Sequence, residues 1–400
     1  MAGKFINTEY RDDINSLVTG LKEIIKNPYY KFNDKSGTPV RYFNQNKEAS
    51  TLDEASKLYY ADIGEDSPIR YNIIEDMFLY GLDQVTISME HGDFGPEANE
   101  ISGECIILPN TIIPYVGDYF DITYTEEKLL FRVIDVTPDT LENGSNIYKL
   151  QYKLESSSLE DILESDNIED RYHMVVNNVG TGFNTILRDE SYYMIKKLDQ
   201  VLFNLRTYYK SVFYKNRVQT FIFLHGERFY DPYMIEFLRE NRILDGNDEY
   251  IYLYQQTKLS TLFPIKYNKT FFKCLENKDK CNIRSYYHQA TAQYISDQTS
   301  IFQTRLERYF EIKYGEPSIN LGIIPCFKDE LINAIVENKL LEGENSIYNI
   351  IIKYFNDGKL TQCDIDNLDC IDFSDNVTIF YAIPCIIYCL ESFVKTLMSK

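Results

Sequence analysis

The chain contains no tryptophan and only four histidines among its 400 residues. So few imidazoles leave little material for a histidine-built metal centre or general base. No G-x-S-x-G and no H-E-x-x-H occurs, which removes the nucleophile elbow and the helix-borne zinc protease motif. The eight cysteines, at 105, 274, 281, 326, 363, 370, 385 and 389, form no C-x-x-C pair. Their spacings, Cys274 to Cys281 and Cys363 to Cys370, fit no zinc ribbon or finger. "GTGF" at 180–183 lacks the Lys-Ser/Thr of a phosphate loop. Positive charge is also scarce: 41 Lys and Arg face 61 Asp and Glu, giving a formal net charge of −20. A chain that wraps nucleic acid needs the opposite balance, because phosphates are held by Lys and Arg. The start, "MAGKFINTEYRDD", has no secretory pattern, so a reducing compartment with buried free thiols is expected.

Tyrosine is abundant instead, with 34 copies against 24 Phe and 18 Gly. Codon bias toward A/T accounts for much of this, since Tyr, Asn, Ile, Lys and Phe share such codons. Tyrosine also suits subunit interfaces, where an apolar ring with a polar tip is favoured. Hydrophobic residues at 44% and charged residues at 26% match a folded globular chain.

Apolar spacing predicts a first helix carrying Ile14, Leu17, Val18, Leu21, Ile24 and Ile25 on one face, stopped at Asn27-Pro28. From Pro28 to about Ser67 the chain is polar and turn-rich, with one helical pattern from Leu52 to Tyr60. It reads as an extended arm packing on a neighbour, within an N-terminal region of 1–83.

Residues 84–155 read as β. "VTISME", "ECIIL", "YFDITY", "KLLFRVIDV" and "IYKLQYKL" alternate or run apolar, and "TEEK" and Asn143-Gly144 supply hairpin turns. Five such strands with one apolar face must bury it, so a small antiparallel barrel or sandwich is expected. After the acidic "SSSLEDILESDNIED", residues 156–400 read as mixed, then mainly helical. A long helix places Ile195, Leu198, Val201, Leu202, Leu205, Tyr208 and Val212 on one stripe. "VQTFIFLH" and "EYIYLYQQ" read as strands. Asp231-Pro232 is an N-cap followed by proline at the first helical position. "TSIFQTRLERYFEIKYG", "KDELINAIVENKLLEG" and "NSIYNIIIKYFNDG" read as helices. The class is α+β: an antiparallel β domain flanked by helices, with a mainly helical C-terminal part.

Val377 to Leu390 is a nearly uninterrupted apolar run of 14 residues containing Pro384. A membrane span needs about 17–25 residues, so a buried helix or subunit contact is favoured over insertion. Of the histidines, His91 falls in a surface turn, and His225 follows a strand close to Glu227 and Asp231. His173 and His288 have no chemical company. Asp231 is explained by its capping role. A glycosidase carboxylate pair is not visible without geometry.

The pieces "DSPIRYN", "ILPNTIIPYVGDYF" and "LFRVIDV", within residues 40–155, resemble virion structural proteins of tailed bacteriophages with A/T-rich genomes. The resemblance implies a non-enzymatic neck, tail or baseplate component repeated around a symmetry axis. It brings no catalytic, cofactor-binding or metal-binding residues, and no cofactor. Implied partners are other phage structural proteins, such as portal, neck, tail or baseplate subunits, and further copies of the chain. Sequence-specific nucleic-acid binding and membrane insertion are not expected. The protein would be made in the host cytoplasm and reside in the virion. Tyr115, Tyr119, Phe120 and Tyr124 are the candidate interface residues, with the core as their competing destination. The rival readings are a tail-associated cell-wall hydrolase using two carboxylates and a membrane-penetrating component using Val377 to Leu390.

Overall fold

The computed structural model describes residues 37–50, 69–82, 85–92, 95–122, 129–140, 146–155, 168–179, 182–213, 222–224, 227–244, 252–253, 267–286, 289–290, 293–295, 300–303, 309–314, 324–325, 327, 329–370 and 376–399. The first predicted helix, the Leu52 to Tyr60 pattern, Tyr124, His225 and His288 lie outside them. The chain divides into two units, residues 1–194 with 397–400, and residues 195–396.

The first unit is built on one sheet. Its strands are β1 (Thr38–Gln45), β2 (Tyr71–Leu79), β3 (Val85–Gly92), β4 (Gly95–Ile107), β5 (Tyr119–Ile122), β6 (Leu130–Thr140), β7 (Asn146–Leu154), β8 (Ile168–Met174) and β9 (Ile186–Arg188). They are ordered β3-β4-β7-β6-β5-β1-β2-β8-β9, and every pairing is antiparallel except β2 with β8. The expected α+β class is what the chain adopts. The sheet is open, with β3 and β9 at its edges, rather than a closed barrel. A single bridge, Tyr80 with Ile106, ties the chain after β2 back to β4 through two backbone hydrogen bonds of 3.0 and 2.8 Å.

All five predicted strands are present, and the alternation in β7 holds: Leu150 and Tyr152 are buried while Lys149 and Gln151 face water. The arm expected from 28 to 83 is corrected in its two described pieces. β1 lies between β5 and β2, and β2 lies between β1 and β8, so both belong to the sheet. Val40 and Tyr42 pack with Ile74, Met77, Leu79, Phe120, Phe131, Val133, Leu150 and Tyr152 in the main core. A smaller cluster holds Phe43, Ile69, Tyr71, Ile73, Tyr119 and Leu130. Alternate residues of β1 thus feed two cores, which is why a short stretch flanked by polar turns becomes a central strand.

The second unit is mainly helical. The long helix α1 (Asp189–Phe213) contains the boundary between the units. Its buried stripe is Ile195, Leu198, Val201, Leu202, Leu205, Tyr209 and Phe213. The predicted Tyr208 and Val212 are each one position off, because a 3.6-residue period advances by four residues in the last turns. Then come β10 (Ile222–Leu224), β11 (Glu227–Tyr230), α2 (Pro232–Glu240), β12 (Tyr252–Leu253), α3 (Phe271–Asn277), β13 (Gln289–Ala290), β14 (Gln293–Ile295), β15 (Ser300–Gln303), β16 (Tyr309–Tyr314), β17 (Ile324–Pro325), α4 (Asp329–Glu337), α5 (Asn349–Phe355), α6 (Gln362–Asp366) and α7 (Asn376–Ser399). The segment "TSIFQTRLERYFEIKYG" was expected to be a helix. It instead contributes β15 and β16, which pair antiparallel, with β12 parallel to β16. Pairing between the two halves of the segment, extended by β12, overrides a local pattern that fits either period.

Helix α7 is the spine of the second unit. Residues 379–390 are buried except Tyr388, with Pro384 inside the helix. Phe380 lies 5.2 Å from Phe213 and 5.9 Å from Tyr209, ring to ring. Ile379–Ser399 has the length and composition of a membrane span, but 67% of its apolar window is packed inside the protein. Buried Cys385 and Cys389 lie on this helix, their thiols pushed well up by burial, and their sulfurs act there as small apolar groups.

Candidate interaction site

The segment between β4 and β5 carries two prolines and a Gly-Asp pair, and the structure shows what they do. Asp118 is 0% exposed, and four groups donate to its carboxylate. The Tyr42 hydroxyl (2.9 Å), the Asn44 side-chain amide (3.0 Å) and the Tyr115 backbone N–H (2.8 Å) reach Oδ2, and the Gln45 backbone N–H (2.9 Å) reaches Oδ1. Burial pushes the Asp118 carboxyl up to about 6, while these four donors act in the opposite direction. The same burial, with the Asp118 charge beside it, raises the Tyr42 phenol well above its usual range.

The backbone closes the knot. Gly117 donates to the Val133 carbonyl and Val133 donates to the Asp118 carbonyl, each at 2.8 Å, while Asp118 N–H turns back to Tyr115 at 3.1 Å. Gly117 sits at φ +91°, and a Cβ there would stand 2.6 Å from the Gln45 side-chain nitrogen. That nitrogen donates to the Val116 carbonyl at 3.0 Å, and the Asn44 amide also donates to the Ile113 carbonyl at 3.0 Å. Glycine is favoured here for its dihedral, and any side chain would also have to displace the Gln45 amide. At the other end, Asn110 lies at φ +56° and its carbonyl accepts from the Thr185 hydroxyl.

A loop held this firmly presents its remaining side chains in fixed positions. Pro114 points inward, whereas Ile113 is 59% and Val116 42% exposed. Ile134, beside Val133 on β6, is also exposed. The Lys47 ammonium stands 3.6 Å over the Tyr115 ring, a cation–π contact at the rim. Asp118 is fully buried, and its carboxylate accepts four hydrogen bonds, three at Oδ2 and one at Oδ1, all from the chain's own groups. Around this buried carboxylate the loop displays Ile113 and Val116 to solvent.

Of the four candidate interface residues, Tyr115 is half-buried on this loop, whereas Tyr119 and Phe120 are inside the chain's own cores. Phe120 stacks 5.2 Å from Phe131 and meets Tyr152 edge-on at 5.2 Å. The groups that do face outward, Ile113 and Val116, sit next to them in sequence. Their signal was the isolated apolar letters between prolines and the Gly-Asp turn.

The structure also corrects the reading of two histidines. His91 lies in β3, opposite Pro96 of β4, rather than in a turn. His173, expected to be isolated, is buried in β8 between two carboxylates: Nε2 is 2.7 Å from Asp189 Oδ1, and Nδ1 is 3.8 Å from Asp76 Oδ2. In the second unit, Asp231 caps α2 as expected, accepting from the Tyr233 and Met234 backbone N–H groups at 2.9 and 3.2 Å. It also accepts the Tyr381 hydroxyl at 2.7 Å. Among the described residues, no group of three or more His, Cys, Asp or Glu side chains is placed to hold a metal ion. Searches against family models, curated proteins and solved structures returned no match to this chain.

Proposed function

We propose that this chain is a non-enzymatic structural subunit of a tailed-phage particle, forming a ring or wedge in the neck, tail or baseplate. The observation that carries this reading is the loop 109–118, which a buried carboxylate with four donors and a positive-φ glycine hold in place so that Ile113 and Val116 face solvent. The three stretches that resemble virion proteins also converge here. "DSPIRYN" supplies Ile69 and Tyr71, "ILPNTIIPYVGDYF" supplies the loop and Tyr119, and "LFRVIDV" supplies Leu130 and Val133. A heterologous contact that closes under rotation gives a ring, and an apolar centre with a polar rim is its usual composition. The net charge of −20 further suits a particle component past which DNA must slide without sticking.

Multi-angle light scattering over a concentration series, followed by negative-stain microscopy, tests the proposal. It expects a discrete closed oligomer to grow in at the expense of the 47.0 kDa monomer. A monomer at every concentration, alone and with its co-expressed neighbouring gene products, would contradict it.

A further inference from the structure

We propose that His173 is a proton-operated latch that fastens the first turn of α1 to the β2–β8 pair. The imidazole is 5% exposed and lies flat on Tyr192, with ring centroids 4.0 Å apart and planes 5° from parallel; Tyr193 meets its edge at 5.3 Å. Asp189, in the first turn of α1, accepts from Nε2 at 2.7 Å. A carboxylate only accepts, so in the neutral ring the single N–H belongs to Nε2. Nδ1 is then a bare lone pair, buried without a hydrogen-bond partner and aimed at the Asp76 carboxylate 3.8 Å away.

That arrangement is incomplete in one protonation state and complete in the other. A second proton turns Nδ1 into a donor facing Asp76. The Asp76 side chain is 62% exposed and can swing inward to meet it. Asp76 itself lies at φ +55°, which lifts it out of the regular strand. The other charges around the ring do not compete for it. Glu75, the register partner of His173, faces Arg41 at 3.8 Å and Arg171 at 3.7 Å. Arg188 of β9 is 3.7 Å from Asp170, and Glu190 is exposed. The flat contact with Tyr192 also strengthens when the ring is cationic. Uptake of one proton therefore joins β2, β8 and α1 through one side chain. Its loss releases Asp76 and leaves only the Asp189 bond.

Asp76→Asn is the discriminating variant, because asparagine accepts a positive φ and is nearly isosteric. Urea unfolding of wild type and variant is compared at about pH 5.5 and about pH 8.5. The latch predicts an unfolding constant about three- to tenfold larger for the variant at the lower pH, and equal constants at the higher pH. An equal deficit at both pH values would overturn it. Independently, ¹⁵N NMR of the wild-type His173 ring should show Nδ1 unprotonated and Nε2 protonated at high pH, with Nδ1 gaining a proton on acidification. An Nδ1–H tautomer at high pH would also overturn it.

Discussion

Asp118 in the sheet unit and Asp231 in the helical unit are both buried, and both accept a tyrosine hydroxyl and backbone N–H groups. They differ in where the donors come from. Asp231 takes its backbone donors from positions two and three residues ahead, as an N-cap does, and only Tyr381 is remote. Asp118 takes one donor from Tyr115 nearby and three from β1, more than 70 residues earlier in the chain. The helical unit uses its carboxylate to start an element. The sheet unit uses its carboxylate to freeze a loop that carries exposed Ile113 and Val116.

The largest effect should come from Asp118→Asn. An amide nitrogen in place of one oxygen meets donors it cannot accept from, so the variant should lose about 2–4 kcal/mol in chemical unfolding. The same variant tests the electrostatics. In the fold the Asp118 carboxyl is raised from its ordinary 3.8 to about 6, so between those values the folded state holds the extra proton. Stability from this group is highest in acid and falls as pH rises through that window, by about 3 kcal/mol. Asparagine has no such slope, so the gap between wild type and variant should narrow by about that amount from pH 4 to pH 7. A constant gap would show that the carboxyl titrates normally.

Asp231→Asn should cost less, about 1–2 kcal/mol, because an asparagine can still cap α2. The loss should arise chiefly at the Tyr381 hydroxyl, so adding Tyr381→Phe should produce little further change in a double-mutant cycle. Tyr42→Phe comes next, at about 1 kcal/mol, since Asp118 keeps three donors. The smallest stability change belongs to Ile113→Asp with Val116→Asp, within about 0.5 kcal/mol, because both side chains already face water.

The contrast between the two aspartates also explains what was legible in the sequence. Asp231 was readable because capping is local and Pro232 follows it. Strands β3 to β7 were readable because their alternation is intrinsic to each segment. β1 and β2 were not, because their polar flanks resemble a linker and their pairing partners lie far along the chain. β15 and β16 were not readable for a different reason: residues 299–315 fit a helical period as well as a strand one, although the two strands pair with each other. At the site, nothing in the sequence signals that Tyr42, Asn44 and Gln45 converge on Asp118. His173 was invisible as a site because its partners, Asp76 and Asp189, are brought to it by a parallel strand pairing and a helix start.

The most direct measurement is sedimentation velocity of the wild-type chain beside the Ile113→Asp/Val116→Asp variant, with thermal unfolding recorded for both. The account predicts that the wild type assembles, that the variant remains a monomer, and that the two unfold at the same temperature when diluted to where both are monomers. A variant that assembles as well as the wild type would show that the loop fixed by Asp118 is not the joining surface.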